Sequence, residues 1–261
     1  MKKVKVKFTG FPGWHIECSA MSMKYLGETF DIHVGGEDLR STHHPNEIAQ
    51  AEGATGKKFV NFWIHGAFLK VDGGRMGKSL GNAYTASDVE KKGFDPLTLR
   101  YFYLGGKYNE PLNFTWESLK AAQVALQKLR NLMQSLKNET ARTALSEEKV
   151  QKIERYRSEF LQVIADDLNT PQALAVLWEM IKSNIPGKDK YDLALSFDEV
   201  LGLNLGRAPQ AVQVSREVKM LLKERQKLRG KGKFEEADKI RSKVYDLGFR
   251  IKDKPVRNVK A

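Results

Sequence analysis

With 261 residues, a net charge of +12 and one cysteine, the chain is long enough to bury a real core, as one large domain or two small ones. The cysteine count excludes an internal disulfide framework and fits a reducing, cytoplasmic setting. No run of 18 apolar residues predicts a membrane span, and the alternating basic start KKVKVKF lacks the apolar region of a signal peptide.

The charge is uneven. Residues Arg207 to Ala261 hold 17 Lys/Arg against 7 Asp/Glu, a net of +10, which leaves about +2 for the first 206 residues. A basic tail of this kind suits a polyanion, although a solvated charged helix has the same composition.

In chain order, Lys2 to Phe8 reads as a strand with Val4, Val6 and Phe8 on one face, and Thr9 to Gly13 as a Pro/Gly turn. Trp14 to Leu26 predicts a helix ended by Gly27. Phe30 to Val34 predicts a short apolar strand, after which Gly35 and Gly36 open a loop to Asp38. A glycine pair lets backbone approach a ligand, and a carboxylate beyond it accepts from ribose or amine hydrogens; a plain strand-to-helix turn reads the same way. Residues 43 to 52 predict a helix, with Pro45 tolerated only in its first turn.

The stretch from Gly13 to Glu47 holds the only cysteine, Cys18, and His15, His33, His43 and His44; the fifth histidine, His65, follows closely. On a helix His43 and Glu47 leave one face a turn apart, and Cys18 lies on the preceding helix beside Trp14 and Met21. Two readings fit these residues. One is a zinc set of thiolate, imidazole and carboxylate with an open fourth position, the catalytic pattern. The other is a buried free cysteine beside an ordinary histidine near a helix N-terminus.

Lys58 to Val71 predicts two strands with a bend near Gly66. VDGGRMGKSLGN then reads as a mobile glycine loop around two cations, Arg75 and Lys78. Such a loop can close on phosphates as charge builds in a transition state. Ser87 and Asp88 cap a predicted short helix that stops at Gly93, and Asp95-Pro96 starts another that runs through Leu104. Residues 112 to 133 predict an amphipathic helix with Leu119, Val124, Leu126, Leu129 and Leu132 inward. Lys137 to Ser146 reads as a polar linker and a domain boundary. Three helices follow, over 149–165, 170–183 and 189–201, the second with Thr170 as cap and Pro171 at its first position. Asp166 and Asp167 read as a solvated corner. A last helical hairpin is predicted over 212–228 and 234–247, broken at Gly230 and Gly232.

The segments GWHIECSAMS, DIHVGGEDL, HHPNEIAQAE, RMGKSLGN and LNTPQALAVLWE, in this order, resemble the C-terminal half of a bacterial-type cysteinyl-tRNA synthetase from about Gly13 to about Asp253. The resemblance implies an α/β then all-α fold. Residues 1–110 would be the second half of a class I Rossmann-like catalytic domain, 111–206 a helical bundle, and 207–261 a basic helical tRNA-binding segment. It implies one zinc ion on Cys18, His43 and Glu47, and L-cysteine, ATP and tRNA(Cys) as substrates. Trp14 would wall the cysteine pocket. Gly35, Gly36 and Asp38 would line the adenylate site. Lys78 matches the second lysine of the K-M-S-K-S signature and would contact ATP, while Arg75 and Gly77 replace its first lysine and first serine.

The family's H-I-G-H motif and a fourth zinc-ligand cysteine are not in this sequence. The expectation is therefore a truncated or split synthetase, inactive alone, whose half sheet exposes an edge and apolar surface and which is completed by a separate N-terminal half. Two rival readings are a non-catalytic tRNA-binding remnant and a cysteine ligase acting on an amino sugar. The basic helical tail weighs against the second.

Overall fold

The computed structural model describes residues 13–139, 145–207 and 216–246. The strand expected over Lys2 to Phe8 and the far C-terminal end lie outside the described residues.

The chain opens with α1 (His15–Leu26), ended by Gly27 at φ 95°. Strand β1 (Phe30–Gly36), a 3-10 turn (Glu37–Ser41), α2 (His43–Thr55) and β2 (Val60–Gly66) follow as a β-α-β unit. β1 and β2 are parallel, in register from Phe30 opposite Val60 to Gly36 opposite Gly66. Parallel neighbours need a crossover connection, and α2 supplies it. Pro45 sits in its first turn, where no backbone hydrogen bond is lost. Phe30, Ala51, Phe59 and Val60, with Met23 and Trp63, form a small core under the helices.

The two faces of this sheet differ. Side chains alternate along a strand, so His33 and its register partner Trp63 share one face with His65, and His33 and His65 bond to residues of α2. Ile32, Val34 and Phe62 point the other way and are 57%, 62% and 68% exposed. Parallel sheets are ordinarily covered on both faces.

The stretch expected as two strands of one sheet instead changes sheets at its bend. β3 (Leu69–Val71) pairs antiparallel with β4 (Gly74–Arg75) and parallel with β5 (Leu112–Phe114). Asp72 and Gly73, both at positive φ, make the tight turn between β3 and β4. Helix α3 (Ala86–Lys91) is capped by Thr85, not Ser87, through a reciprocal capping box with Asp88. α4 (Pro96–Leu104) starts on an Asp95 cap with Pro96 in its first turn.

Residues 112 to 114 are strand rather than helix, because pairing with β3 overrides local pattern. The long helix α5 (Trp116–Lys137) begins only after a Thr115 cap. Its buried stripe is Leu119, Ala122, Leu126, Leu129, Met133 and Leu136, at alternating steps of three and four residues; Val124 is exposed. Leu119 and Ala122 belong to a core with Val71, Val89, Phe102 and Phe114, whereas Leu126 to Leu136 belong to the core of the helices beyond. The division suggested at residue 111 therefore falls beside a helix that serves both cores.

Helices α6 (Glu147–Ala165), α7 (Thr170–Lys182) and α8 (Gly187–Leu201) enclose the larger core, where Phe160 and Phe197 stack at 4.0 Å. The cap of α7 is Asn169, which accepts from the Gln172 N–H, so Thr170 is its first helical residue. Asp167 is exposed at the corner, and its carboxylate accepts from Tyr108 Oη at 2.6 Å and Asn109 Nδ2 at 3.1 Å.

Contacts divide the chain into units 1–209 and 210–261. In the second, α9 (Arg216–Gly230) and α10 (Phe234–Asp246) form a hairpin turned at Gly232, φ 74°, around Val218, Ile240 and Val244. No helix among the described residues is long and apolar enough to cross a membrane.

Candidate metal centre and substrate site

The N-terminal turn of α2 is the centre of the site. His43, His44 and Glu47 are all buried on it, facing α1 on one side and the β1–β2 sheet on the other. Cys18, His43 and Glu47 each offer a ligand atom, and these atoms lie within 4.8 Å of one another. Glu47 Oε1 is buried and stands 2.6 Å from His43 Nε2, a close contact without the alignment of a hydrogen bond. A buried carboxylate oxygen in that state is costly unless something further satisfies it.

His43 is fixed from its other side. Its Nδ1 faces His15 Nδ1 at 2.5 Å, and the exposed indole of Trp14 stacks on its ring at 3.5 Å. Ser19, fully buried on α1, donates to the Glu47 carbonyl and to Gln50, which sets the two helices side by side. The Cys18 thiol is pushed above its ordinary pKa, first by burial, then by the negative charge of Glu47 and a hydrogen bond to it.

A second group shares Glu47. His33 Nε2 lies 2.8 Å from Glu47 Oε2, and His33, His44 and Glu47 also present ligand atoms within 4.8 Å of one another. His44 Nδ1 meets His65 Nε2 at 2.8 Å. Burial lowers the His44 pKa to about 4, and the neighbouring histidines add to this while Glu47 opposes it. His44 is therefore a neutral ring at neutral pH. A Cβ on Gly35 would come within 2.5 Å of the His44 ring, so glycine at 35 makes room for an imidazole of the protein itself.

Asp38 is exposed on the 3-10 turn, with its carboxylate folded back over Gly36. Arg75 and Lys78 are exposed too, on β4 and the 3-10 turn Lys78–Leu80, and so belong with the β3–β5 sheet rather than the histidine-bearing one. The loop between them is held by Asn82, whose Oδ1 accepts from Gly77 N–H and whose Nδ2 donates to the Arg75 carbonyl.

A family model described as the class I (C) tRNA synthetase catalytic domain matches residues 7–124, and a DALR domain model matches residues 159–185. Cysteine--tRNA ligase 1 of Burkholderia lata is 44% identical over 248 residues, which is 94% of this chain and 51% of that protein. By sequence, residues 7–124 match the catalytic-domain model of class I (C) tRNA synthetases, and nearly the whole chain is similar to about half of a cysteine--tRNA ligase.

Cysteine--tRNA ligases of Caldicellulosiruptor saccharolyticus and Treponema denticola are each 38% identical across 94% of this chain, covering 56% and 55% of their own lengths. The chain thus spans about half the length of the relatives it matches. A solved LeuRS from the Agrobacterium radiobacter K84 agnB2 LeuRS-tRNA-LeuAMS complex aligns with a TM-score of 0.52 over 67% of this chain and 26% of that one. At 14% identity that likeness speaks for the fold alone. The architecture is a class I synthetase catalytic domain followed by all-helical DALR elements.

The sequence pattern assigned no role to His15, His33, His44, His65 or Asn82. The histidines were visible only as a crowd, since their pairing depends on how β1 registers with β2. Asn82 had a local signal, closing the glycine loop it stabilises.

Proposed function

We propose that this chain serves cysteine–tRNA ligation: activation of L-cysteine with ATP and transfer to tRNA(Cys), in the cytoplasm. The observation that carries the reading is the convergence of Cys18, His43 and Glu47, in a chain related over 94% of its length to cysteine--tRNA ligases. Their sulfur, nitrogen and oxygen donors fit zinc, and the buried Glu47 Oε1, beside His43 Nε2 without an aligned hydrogen bond, is an atom that a cation would satisfy. Bound there, zinc supplies an open coordination position that favours a substrate thiolate over serine's hydroxyl.

The protein's own groups divide the work. Cys18, as its thiolate, and Glu47 would give the anionic ligand atoms of a bound metal. His43 offers Nε2 while His15 holds its opposite nitrogen. Trp14, stacked on His43, walls the place where a cysteine side chain would lie. Asp38, beside the open backbone of Gly35 and Gly36, accepts from the substrate amine or a ribose hydroxyl. Arg75 and Lys78 bring positive charge to the phosphates as it builds in adenylate formation, on a loop that Asn82 keeps shaped. The basic helices α9 and α10 meet tRNA phosphates.

The test is optical. With cobalt(II) replacing zinc, addition of L-cysteine should change the sulfur-to-cobalt charge-transfer band, and L-serine at the same concentration should not. An unchanged band with cysteine would overturn the reading.

A further inference from the structure

The bend that ends β2 is held from two sides. It lies two residues beyond His65, whose Nε2 meets His44 Nδ1, next along α2 from His43. The Phe68 N–H donates to Glu37 Oε1 at 3.3 Å, on the 3-10 turn that carries Asp38. From the other side the Ala67 N–H donates to the Tyr108 carbonyl at 2.8 Å. Tyr108 then reaches away from the site: its hydroxyl donates to Asp167 Oδ1 at 2.6 Å, and Asn109 Nδ2 donates to Asp167 Oδ2 at 3.1 Å. Thr170 Oγ1 adds a longer bond, 3.4 Å, to the Gly106 carbonyl. The loop after α4 therefore joins the end of the histidine-bearing sheet to the corner between α6 and α7, within the DALR match at 159–185.

That corner has an unusual backbone. Asp167 and Leu168 are both left-handed, at φ 51° and 54°. Aspartate tolerates this region, but in leucine the Cβ crowds the backbone. Leu168 is also exposed, so burial of its own side chain does not offset the cost. Backbone bonds from Leu168 to Ile164 and from Asn169 to Val163 close the turn, while the side-chain bonds to Asp167 come from the 105–110 loop. A sparsely populated conformation persists where its surroundings impose it, and it can relax when one contact is withdrawn.

We infer, on the cysteine site proposed above, that Tyr108 is a positioning residue for it. Its hydroxyl, held by Asp167, keeps its carbonyl on Ala67 and so fixes the bend that seats His65 against His44. Tyr108 touches neither the metal set nor the substrate. It transmits the placement of the α6–α7 corner to the sheet that carries the site.

The rival account is a staple that only joins the helices to the rest of the fold. The full chain loaded with cobalt(II) separates the two, with L-cysteine titrated against the sulfur-to-cobalt band well below the melting temperature. Tyr108→Phe should keep its cobalt and weaken cysteine binding about 3- to 10-fold, the span of one net hydrogen bond. Asp167→Ala should do the same, and the double variant should lose no more than either single one, because all three remove one contact. Asp167→Asn, whose amide oxygen still accepts from Tyr108, should recover most of the affinity. Amide exchange at Ala67 should be faster in Tyr108→Phe. A staple alone would lower the melting temperature of these variants and leave cysteine affinity where it was, which overturns the inference. Additive losses in the double variant also overturn it. No cysteine response in the unaltered chain would sink the proposed function instead; faster exchange at Ala67 in Tyr108→Phe would then still support the link to the bend, and unchanged exchange would overturn it.

Discussion

His15 and His43 face each other through their Nδ1 atoms at 2.5 Å, the first residue of one helix against the first residue of the next. One ring must carry its proton at Nδ1 and the other must not. If His43 binds metal through Nε2, its Nδ1–H donates to His15, which fixes both tautomer and ring orientation. Such outer partners typically contribute 10- to 100-fold in metal affinity. His15→Ala should therefore weaken zinc binding by about that factor, measured by competition with a chromophoric chelator. Equal affinity in the variant would show that His43 needs no support.

The proposed tRNA contact should be electrostatic. The net +10 of residues 207–261 and the exposed Lys219, Lys223 and Lys227 along α9 place positive charge on one helix. Binding to tRNA(Cys) should fall by one to several orders of magnitude between ~50 and ~200 mM salt if about three or more phosphates are engaged. Changing these three lysines to glutamate should flatten the salt slope. A slope that the triple variant leaves unchanged would move the contact elsewhere.

The bundle core gives a stability test. Phe160 and Phe197 are both almost fully buried and stack face to face, with planes 4° apart. Phe160→Ala should cost about 3–5 kcal/mol through lost burial and the cavity left behind, read from urea unfolding. A loss under about 1 kcal/mol would mean that the bundle collapses around the gap.

A pH effect follows from the cap that starts α3 after the cationic loop. Thr85 donates its backbone N–H and its hydroxyl to Asp88, which holds the carboxyl below its ordinary value of 3.8. The folded state thus favours the charged form. Its contribution is complete above the unfolded-chain value and is lost as pH falls through the folded one. An NMR titration of Asp88 should give a midpoint below 3.8, and Thr85→Val should raise it. A midpoint that the substitution does not move would place the cause elsewhere.

How much of this was legible in the sequence depends on whether a contact is local. The pairing of His43 with Glu47 follows from helical period alone, and Gly27 and Asp95-Pro96 announce helix ends by backbone chemistry alone. Leu112 to Phe114 were misread as helix because their strand state comes from Leu69 to Val71, some forty residues earlier. The meeting of His33 with Glu47 and of His44 with His65 needed the parallel register of β1 and β2, which no local pattern encodes. Val124 looked like core because it is apolar. Leu119, Leu126 and Leu129 are in the buried stripe as expected, and Ala122, Met133 and Leu136 complete it in a phase that the structure supplies.

Helix α5 has a consequence for how the molecule comes apart. Its 22 residues, about 33 Å of continuous helix, begin in the core under β3 and β5 and end in the core of α6 to α8. Melting either core strips one side from a helix whose nucleation is costly and whose hydrogen bonds run unbroken between them. The catalytic-domain elements around β3 and β5 and the DALR helices should therefore share a single heat-absorption peak, with calorimetric and van 't Hoff enthalpies in agreement across both.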